Sequence, residues 1–286
     1  MIKKQISYKN GLYLVSTPIG NLQDISLRAI EILKKSKLIL CENRLHCLKL
    51  LNKYDIKKKL ISIHDYNEKE VFEKIFSDLN DSLVCLITDS GSPLISDPGY
   101  RLVNCCIKKN IYVTSIPGAS AVIASLQLSG MPSNKFTFNG FIPKKLQQAK
   151  DLLISTKNNS ETQIFFSSSH RLKQNIDLIQ KIYGNRKMAV LKELTKINEE
   201  AVRTDVGDML ERINQKKFTV RGEFVIILSG DEGGGVAEIN SDILKILSIL
   251  LKKFSLTDAV RIVHKLTGLS KKELYERALS EKNNDP

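Results

Sequence analysis

The chain has 286 residues, of which 42% are hydrophobic, and its formal net charge is +13 at pH 7. The length favours two domains or one domain with an appendage, and the hydrophobic content is ample for large cores. No apolar run approaches the roughly 20 residues that span a bilayer, so we expect no membrane-spanning segment. The positive charge favours an acidic partner, with nucleic acid ahead of a polycarboxylate or an anionic membrane, although a lysine-rich drift in composition also produces such a charge.

The cysteines and histidines argue against two further classes of protein. Five cysteines occur without a C-x-x-C motif, and Cys41 and Cys85 lie in apolar runs, which favours buried, reduced thiols over disulfides. The four histidines have no zinc-ligand spacing, so we predict no metal site. The first apolar run, residues 12–15, is too short for a signal peptide, and we therefore expect a cytoplasmic protein.

Strands and helices alternate strictly through residues 1–122, which we predict to form an N-terminal α/β domain. The predicted strands cover residues 11–16, 38–41, 60–63, 83–88 and 111–116. A helix follows each strand, and the fourth helix is predicted over residues 98–108, with Asp97 as its cap and Pro98 at its first position. This alternation predicts parallel strands joined by right-handed crossovers.

The pattern changes near residues 130–132, and residues 123–230 are predicted to form a second α/β domain. Its predicted strands cover residues 135–141, 162–166, 188–191 and 223–228. Helices are predicted from residue 144, over residues 170–183 and over residues 206–213. Because the strands are less regularly spaced than in the first domain, we expect a mixed sheet.

The last part of the chain differs in composition from both domains. Residues 231–240 contain three consecutive glycines and acidic residues, which is typical of a linker. Residues 241–286 are predicted to form three short helices that carry lysine and arginine on their faces. Such a module is compatible with a helix-turn-helix, and the alternative is a bundle that only packs on the body of the protein or on a second subunit.

Three loops rich in glycine and proline follow predicted strands, at residues 17–21, 89–99 and 117–121. Ligands of open α/β sheets bind beyond the carboxyl ends of the strands, and three such loops on parallel strands meet at one edge of the sheet. Glycine lets the backbone approach a ligand closely. Because no G-x-G-x-x-G or G-x-x-x-x-G-K motif is present, the loops predict a pocket that is not of the dinucleotide or P-loop type.

Six sequence blocks contain these loops and three further segments. They are VSTPIGNL (15–22), DSGSPLISDPG (89–99), IPGASA (116–121), FFSSSHR (165–171), ELTK (193–196) and RGEF (221–224). In this order they resemble the motifs of the tetrapyrrole methylase superfamily and, more narrowly, of its ribosomal RNA small subunit methyltransferase I branch. The helical tail is similar to the helix-turn-helix-like extension of that branch.

The resemblance implies a methyltransferase that uses S-adenosylmethionine (AdoMet) and is a homodimer. It implies two α/β domains, with the cofactor in the cleft between them, and a small C-terminal helical module. The implied substrate is a cytidine 2′-hydroxyl in small-subunit (16S) ribosomal RNA. The implied cofactor-binding residues are Pro18, Gly91, Ser92, Pro93, Ile95, Asp97, Ser120, Ala121 and Leu194.

Methyl transfer from a sulfonium is an in-line displacement, so alignment of the reactants supplies much of the acceleration. A ribose hydroxyl is a poor nucleophile and gains from a positioned proton acceptor. Our candidate catalytic residues are Asp89 and Glu193, the carboxylates nearest the predicted cleft.

The sequence departs from the branch at two places. Asn43, Arg44 and Leu45 replace the usual Asp-Thr-Arg, and residues 167–169, all serine, replace Glu-Ser-Pro. These changes leave a second hypothesis, an RNA-binding or assembly protein with weakened catalysis. C-methylation of a tetrapyrrole is a third, because the positive charge also suits a polycarboxylate macrocycle. The basic helical tail favours RNA over a tetrapyrrole as the substrate.

Overall fold

A computed structural model of the chain describes residues 8–231 and 241–283. The chain forms two compact units, a larger one that ends at Ser229 and a smaller one that contains the C-terminal helices and residues 157–161. Both α/β sheets belong to the larger unit. The domain boundaries after residues 122, 230 and 240 stay predictions. All of the predicted linker except Asp231 lies outside the described residues.

The first sheet contains five strands, which are parallel as predicted, and their order is β3-β2-β4-β1-β5. The strands are β1 (Gly11–Val15), β2 (Leu38–Cys41), β3 (Lys59–Ser62), β4 (Leu83–Leu86) and β5 (Val113–Ile116). The helices are α1 (Leu27–Lys35), α2 (Arg44–Lys53), α3 (Glu68–Asp81), α4 (Tyr100–Lys108) and α5 (Ala121–Ser129). Alternate residues of β1 enter two separate cores, because Tyr13 and Val15 pack in one and Leu12 in the other. Burial of both faces explains why the three inner strands β1, β2 and β4 are continuous apolar runs, whereas the edge strands β3 and β5 contain polar residues.

The start of α4 differs from the prediction. Gly99 is the N-cap, with φ of 128°, and neither Asp97 nor Pro98 belongs to the helix. The buried carboxylate of Glu68 on α3 accepts a 2.8 Å hydrogen bond from the N–H of Leu102. The predicted Asp97 cap is therefore wrong, since a carboxylate from a neighbouring helix satisfies the first turn instead.

The second sheet is mixed, as predicted, with the strand order β6-β7-β10-β8-β9. Its strands are β6 (Phe136–Phe141), β7 (Thr162–Ser168), β8 (Lys187–Lys192), β9 (Glu200–Asp205) and β10 (Glu223–Leu228). Only β6 and β7 pair in parallel, and the other pairs are antiparallel. Helices α6 (Leu146–Thr156), α7 (Leu172–Tyr183) and α8 (Val206–Asn214) pack with one face of this sheet.

The opposite face of the second sheet packs against elements of the first domain. Val122 and Leu126 of α5, together with Ile19 from the loop after β1, form one hydrophobic core with Leu191 and Val225. This shared core joins the two sheets into one unit. It also places the loops at the carboxyl ends of β1 and β5 against the second sheet.

The smaller unit is a three-helix module, with α9 (Ser241–Leu251), α10 (Leu256–Thr267) and α11 (Lys271–Asn283). The Ser255 side chain caps α10 by accepting a hydrogen bond from the N–H of Asp258, and Gly268 ends that helix in a left-handed conformation. Leu247, Val263 and Leu274, one from each helix, are buried in its core. Among the described helices of the whole chain, none is long and apolar enough to cross a membrane.

Candidate active site

The predicted loops converge at the carboxyl ends of three adjacent strands, β4, β1 and β5. The N–H of Thr17 donates a 2.8 Å hydrogen bond to the carbonyl of Gly91, and the N–H of Gly91 donates a 3.2 Å bond in return. The hydroxyls of Ser16 and Ser92 lie 2.9 Å apart. Gly91 adopts φ of 80°, a conformation that favours glycine, so its place in this loop follows from the backbone.

A cavity of about 320 Å³ lies between these loops and the second sheet. Its lining includes seven of the nine residues predicted to bind the cofactor, namely Gly91, Ser92, Ile95, Asp97, Ser120, Ala121 and Leu194. The volume is near the lower end of the range for cavities that enclose a small organic ligand, about 300–1,000 Å³. The cavity therefore has room for one such ligand.

The remaining predicted site residues lie elsewhere. Pro18 and Asp89 line a second cavity of about 280 Å³, which adjoins the first. Pro93 is buried, and neither Pro93 nor Glu193 belongs to the lining of either cavity. The roles of all these residues stay predictions.

The first cavity offers three kinds of surface. Leu191, Leu194 and Val225 supply an apolar wall. Ser120, the N-cap of α5, makes no side-chain cap hydrogen bond, so the Ser120 side chain leaves the first-turn N–H groups of α5 free for a ligand anion. Asp97 supplies a carboxylate. This set suits a ligand that combines an aromatic ring, a carboxylate and a positive charge.

Negative charge is concentrated beside the first cavity. Burial raises the pKa of Asp97 to about 7, and the neighbouring Glu42 and Asp89 add to the shift. Burial also raises the pKa of Glu42, with further contributions from Asp89 and Asp65. A cationic ligand in the cavity would relieve this repulsion and favour the ionised form of Asp97.

One carboxylate oxygen of Glu193 is held by two donors within the protein. Its Oε1 accepts a 2.9 Å hydrogen bond from Lys196 Nζ and another of 2.9 Å from the N–H of Glu223. Burial acts to raise the pKa of Glu193, but these two donors outweigh it and the net shift is downward. Lys196 also donates to Glu223 Oε2 at 2.8 Å, so one lysine joins two carboxylates at the end of β10. The arrangement fixes the loop that follows β8.

The loops after β1 and β8 contact each other closely. The N–H of Asn21 donates a 3.1 Å hydrogen bond to Thr195 Oγ1. Gly20 leaves no room for a side chain, because a Cβ there would lie 2.6 Å from Lys196 Cγ and 2.7 Å from the carbonyl oxygen of Leu194. Since Leu194 lines the first cavity, this contact sets the distance between its two walls.

The two unusual sequence blocks have identifiable structural roles. Asn43 is the N-cap of α2, and its side-chain oxygen accepts hydrogen bonds from the N–H groups of Leu45 and His46. Its own N–H donates a 3.2 Å hydrogen bond to Asp89 Oδ1, which holds that carboxylate beside the start of α2. Residues 167–169 all line the first cavity. Asparagine keeps the capping role that an aspartate has at such a position.

Sequence reasoning missed several lining residues from the second domain. Phe141 and Phe166 contact each other edge to face, with centroids 5.3 Å apart, and both line the first cavity together with Val225. The block FFSSSHR contained Phe166, but no local signal indicated which face of β7 meets the first domain. His170, within that block, lies in a short 3-10 turn before α7 and does not line this cavity.

These features define the class of methyltransferases known as tetrapyrrole methylases: two α/β sheets share a core and enclose a cavity at the strand ends. The model of the family "Tetrapyrrole (Corrin/Porphyrin) Methylases" matches residues 11–210, and that of the "RsmI C-terminal HTH domain" matches residues 237–282. A relative from Halalkalibacterium halodurans named ribosomal RNA small subunit methyltransferase I is 41% identical, over 80% of this chain and 81% of its own. The protein of the same name from Vibrio cholerae is 36% identical over 94% of each chain.

The chain belongs to the ribosomal RNA small subunit methyltransferase I branch of this family. Solved structures agree on the fold. A diphthine synthase superimposes with a TM-score of 0.60 at 10% identity, over 76% of this chain and 89% of its own. A uroporphyrin-III C-methyltransferase from Thermus thermophilus, complexed with S-adenosylhomocysteine, superimposes with a TM-score of 0.53 at 16% identity. The match covers 77% of this chain and 97% of that protein's chain. The predicted family, fold class and methyltransferase activity are therefore confirmed.

Proposed function

We propose that this protein transfers a methyl group from AdoMet to the ribose 2′-hydroxyl of a cytidine in small-subunit ribosomal RNA. The observation that carries the proposal is the cavity between the two sheets, in a chain whose curated relatives are named ribosomal RNA small subunit methyltransferase I. The net charge of +13 suits a polyanionic substrate. C-methylation of a tetrapyrrole is the alternative, which the fold alone supports.

The residues of the first cavity fit AdoMet. Leu191, Leu194 and Val225 provide an apolar wall for the adenine ring. The first turn of α5 suits the carboxylate of the methionine part, and Asp97 suits its positive charge. When bound, AdoMet supplies an electrophilic methyl group on sulfur.

We propose that Asp89 accepts the proton that the ribose 2′-hydroxyl loses. In the transfer, a carbon–oxygen bond forms to the ribose as the carbon–sulfur bond breaks, the sulfur keeps the electron pair, and the hydroxyl proton passes to the carboxylate. Asp89 lies next to Ser90, which lines both cavities. Its Oδ1 is oriented by the N–H of Asn43. Glu193 has a positioning role in this proposal, because Lys196 and the N–H of Glu223 already occupy its Oε1.

We also propose that the protein is a cytoplasmic homodimer and that its helical module contributes to RNA binding. The module carries exposed basic residues, and the branch to which the chain belongs acts on ribosomal RNA by name. Sedimentation of the purified protein would test the dimer.

The test is to incubate the protein with small ribosomal subunits and labelled AdoMet and to map the methylated nucleotide. Label on a cytidine ribose is the expected result, and label on a base or no label at all would contradict the proposal. Calorimetry with AdoMet distinguishes the methyltransferase from an RNA-binding protein that has lost catalysis. A protein that has lost its cofactor site would not bind AdoMet.

The variant Asp89→Asn tests the assigned acceptor. General-base catalysis contributes on the order of 10²–10⁴-fold, so kcat should fall by about 10²-fold or more. The affinity for AdoMet, measured by calorimetry at pH 8, where Asp97 is mostly ionised with or without Asp89 beside it, should stay near that of the wild type, because Asp89 does not line the first cavity. A wild-type kcat in this variant would show that Asp89 does not accept the proton of the ribose hydroxyl.

A further inference from the structure

The cavity that contains Asp89 shares a wall with the cavity assigned to the cofactor. Ile19, Ser90 and Glu223 line both, and the loop after β1 lies between them. The second cavity has a volume of about 280 Å³. Two adjoining cavities of similar size offer room for two ligands side by side.

The chemistry of methyl transfer requires such an arrangement. The attacking oxygen must come within about 3–3.5 Å of the methyl carbon, on the side opposite the sulfur. If AdoMet occupies the first cavity, the ribose hydroxyl must approach from a space that shares a wall with it. The second cavity meets this condition.

The two cavities differ in the charge of their linings. The titratable side chains around the first are the carboxylates of Asp97 and Glu223, with no lysine, arginine or histidine. The second also has two carboxylates, Asp89 and Glu223, but it adds the basic side chains of His46, Lys49 and Lys196. Basic side chains that could bind an anionic acceptor are therefore found in the second cavity and not in the first.

His46 and Lys49 are available to bind an anion. Both lie on α2, one turn apart, and both are exposed. Within residues 8–231 and 241–283, neither side chain has an ion-pair partner, whereas Lys196 is held by two carboxylates. The helix has the sequence RLHCLKLLNK, which contains no acidic residue. A phosphate group is the anion that an RNA nucleotide would bring.

We propose that the second cavity binds the nucleotide that receives the methyl group, with His46 and Lys49 holding its phosphate and Asp89 beside its ribose. The inference rests on the proposed function and deepens it, since it assigns the place and the charged contacts of the acceptor. Thr17 and Thr88 also line this cavity, and the Thr17 hydroxyl donates a 3.2 Å hydrogen bond to the carbonyl of Thr88.

The test compares Lys49→Ala and His46→Ala with Lys74→Ala, a control at an exposed lysine on α3 that lines neither cavity. Methyl transfer to small subunits gives kcat and KM, and calorimetry gives the AdoMet affinity. Lys49→Ala should raise KM for the subunits by about tenfold, because a charge-assisted hydrogen bond to phosphate is lost. The AdoMet affinity should not change, and Lys49→Arg should restore KM.

The salt dependence of RNA affinity distinguishes a phosphate contact of Lys49 from a purely structural role, which would leave that dependence unchanged. The slope of log affinity for RNA against log salt should become shallower by about 0.7–0.9 in Lys49→Ala and should keep its wild-type value in Lys74→Ala. Unchanged KM and slope in both α2 variants would overturn the inference, as would an equal loss of AdoMet affinity. A wild-type protein that transfers no methyl group to the subunits would instead refute the proposed function.

Discussion

Gly20→Ala tests whether the contact between the loops after β1 and β8 sets the shape of the cofactor cavity. The new Cβ would lie 2.6 Å from Lys196 Cγ and 2.7 Å from both Thr195 Oγ1 and the carbonyl oxygen of Leu194. Rotation of side chains relieves two of these contacts. The carbonyl of Leu194 belongs to the backbone, so the loop after β8 must move.

The magnitude follows from these contacts. Overpacking of a filled site costs about 1–3 kcal/mol, and the Asn21–Thr195 hydrogen bond that would be lost is worth about 1 kcal/mol. The free energy of unfolding should therefore fall by about 2–4 kcal/mol. Because Leu194 lines the cavity, we expect the affinity for S-adenosylhomocysteine to fall by about tenfold, which corresponds to about 1.4 kcal/mol.

The assays are chemical denaturation for stability and calorimetry for affinity. Gly184→Ala is the matched control, because Gly184 has φ of 72° and ψ of −156° and no atom lies within 4 Å of a Cβ there. That backbone conformation costs a non-glycine residue about 1–3 kcal/mol, with no expected effect on affinity. Wild-type affinity in Gly20→Ala, or an equal loss in both variants, would refute the reasoning.

Two further predictions concern Asp97 and Ser255. Because the pKa of Asp97 is raised to about 7, the affinity for AdoMet should increase between pH 6 and pH 8 as this carboxyl ionises, and calorimetry should show that Asp97→Asn abolishes the increase. The same shift should lower the free energy of unfolding as the pH rises from about 4 to about 7, since the folded state binds this proton more tightly than the unfolded state does. Ser255→Ala removes the side chain that caps α10 and should destabilise that helix by about 1 kcal/mol, seen as roughly fivefold faster hydrogen exchange of its amides, while exchange in the first sheet stays unchanged.

The first sheet was predictable because its three inner strands, β1, β2 and β4, are buried on both faces. Continuous apolar runs such as residues 83–86 mark such strands, and the parallel order then brings the loops of β4, β1 and β5 together. The convergence of Thr17 with Gly91 follows from local signals plus the rules for parallel sheets.

Strand β9 was missed because it gives no such signal. Glu200–Asp205 reads EAVRTD, and none of its residues is fully buried. It pairs with β8 at the edge of the sheet, and its side chains are only partly buried, with Ala201 against one core and Val202 against the other. The residues after it correctly predict α8, which begins at Val206.

The start of α4 and the state of Glu193 depend on distant residues. Glu68 accepts the hydrogen bond from Leu102, 34 positions along the chain, that was expected from an Asp97 cap. The N–H of Glu223 donates to Glu193, which lies 30 positions away. Local propensity describes neither contact. The second-domain wall of the cavity, with Phe141 and Val225, likewise depends on how the two sheets pack.

The most direct test of the account is a crystal structure of the protein with S-adenosylhomocysteine bound. The account predicts the ligand between the two sheets, in contact with Gly91, Ala121 and Leu194, with its sulfur towards the wall formed by Ile19 and Ser90. A ligand bound outside this cavity, or one whose sulfur faces away from the second cavity, would contradict it.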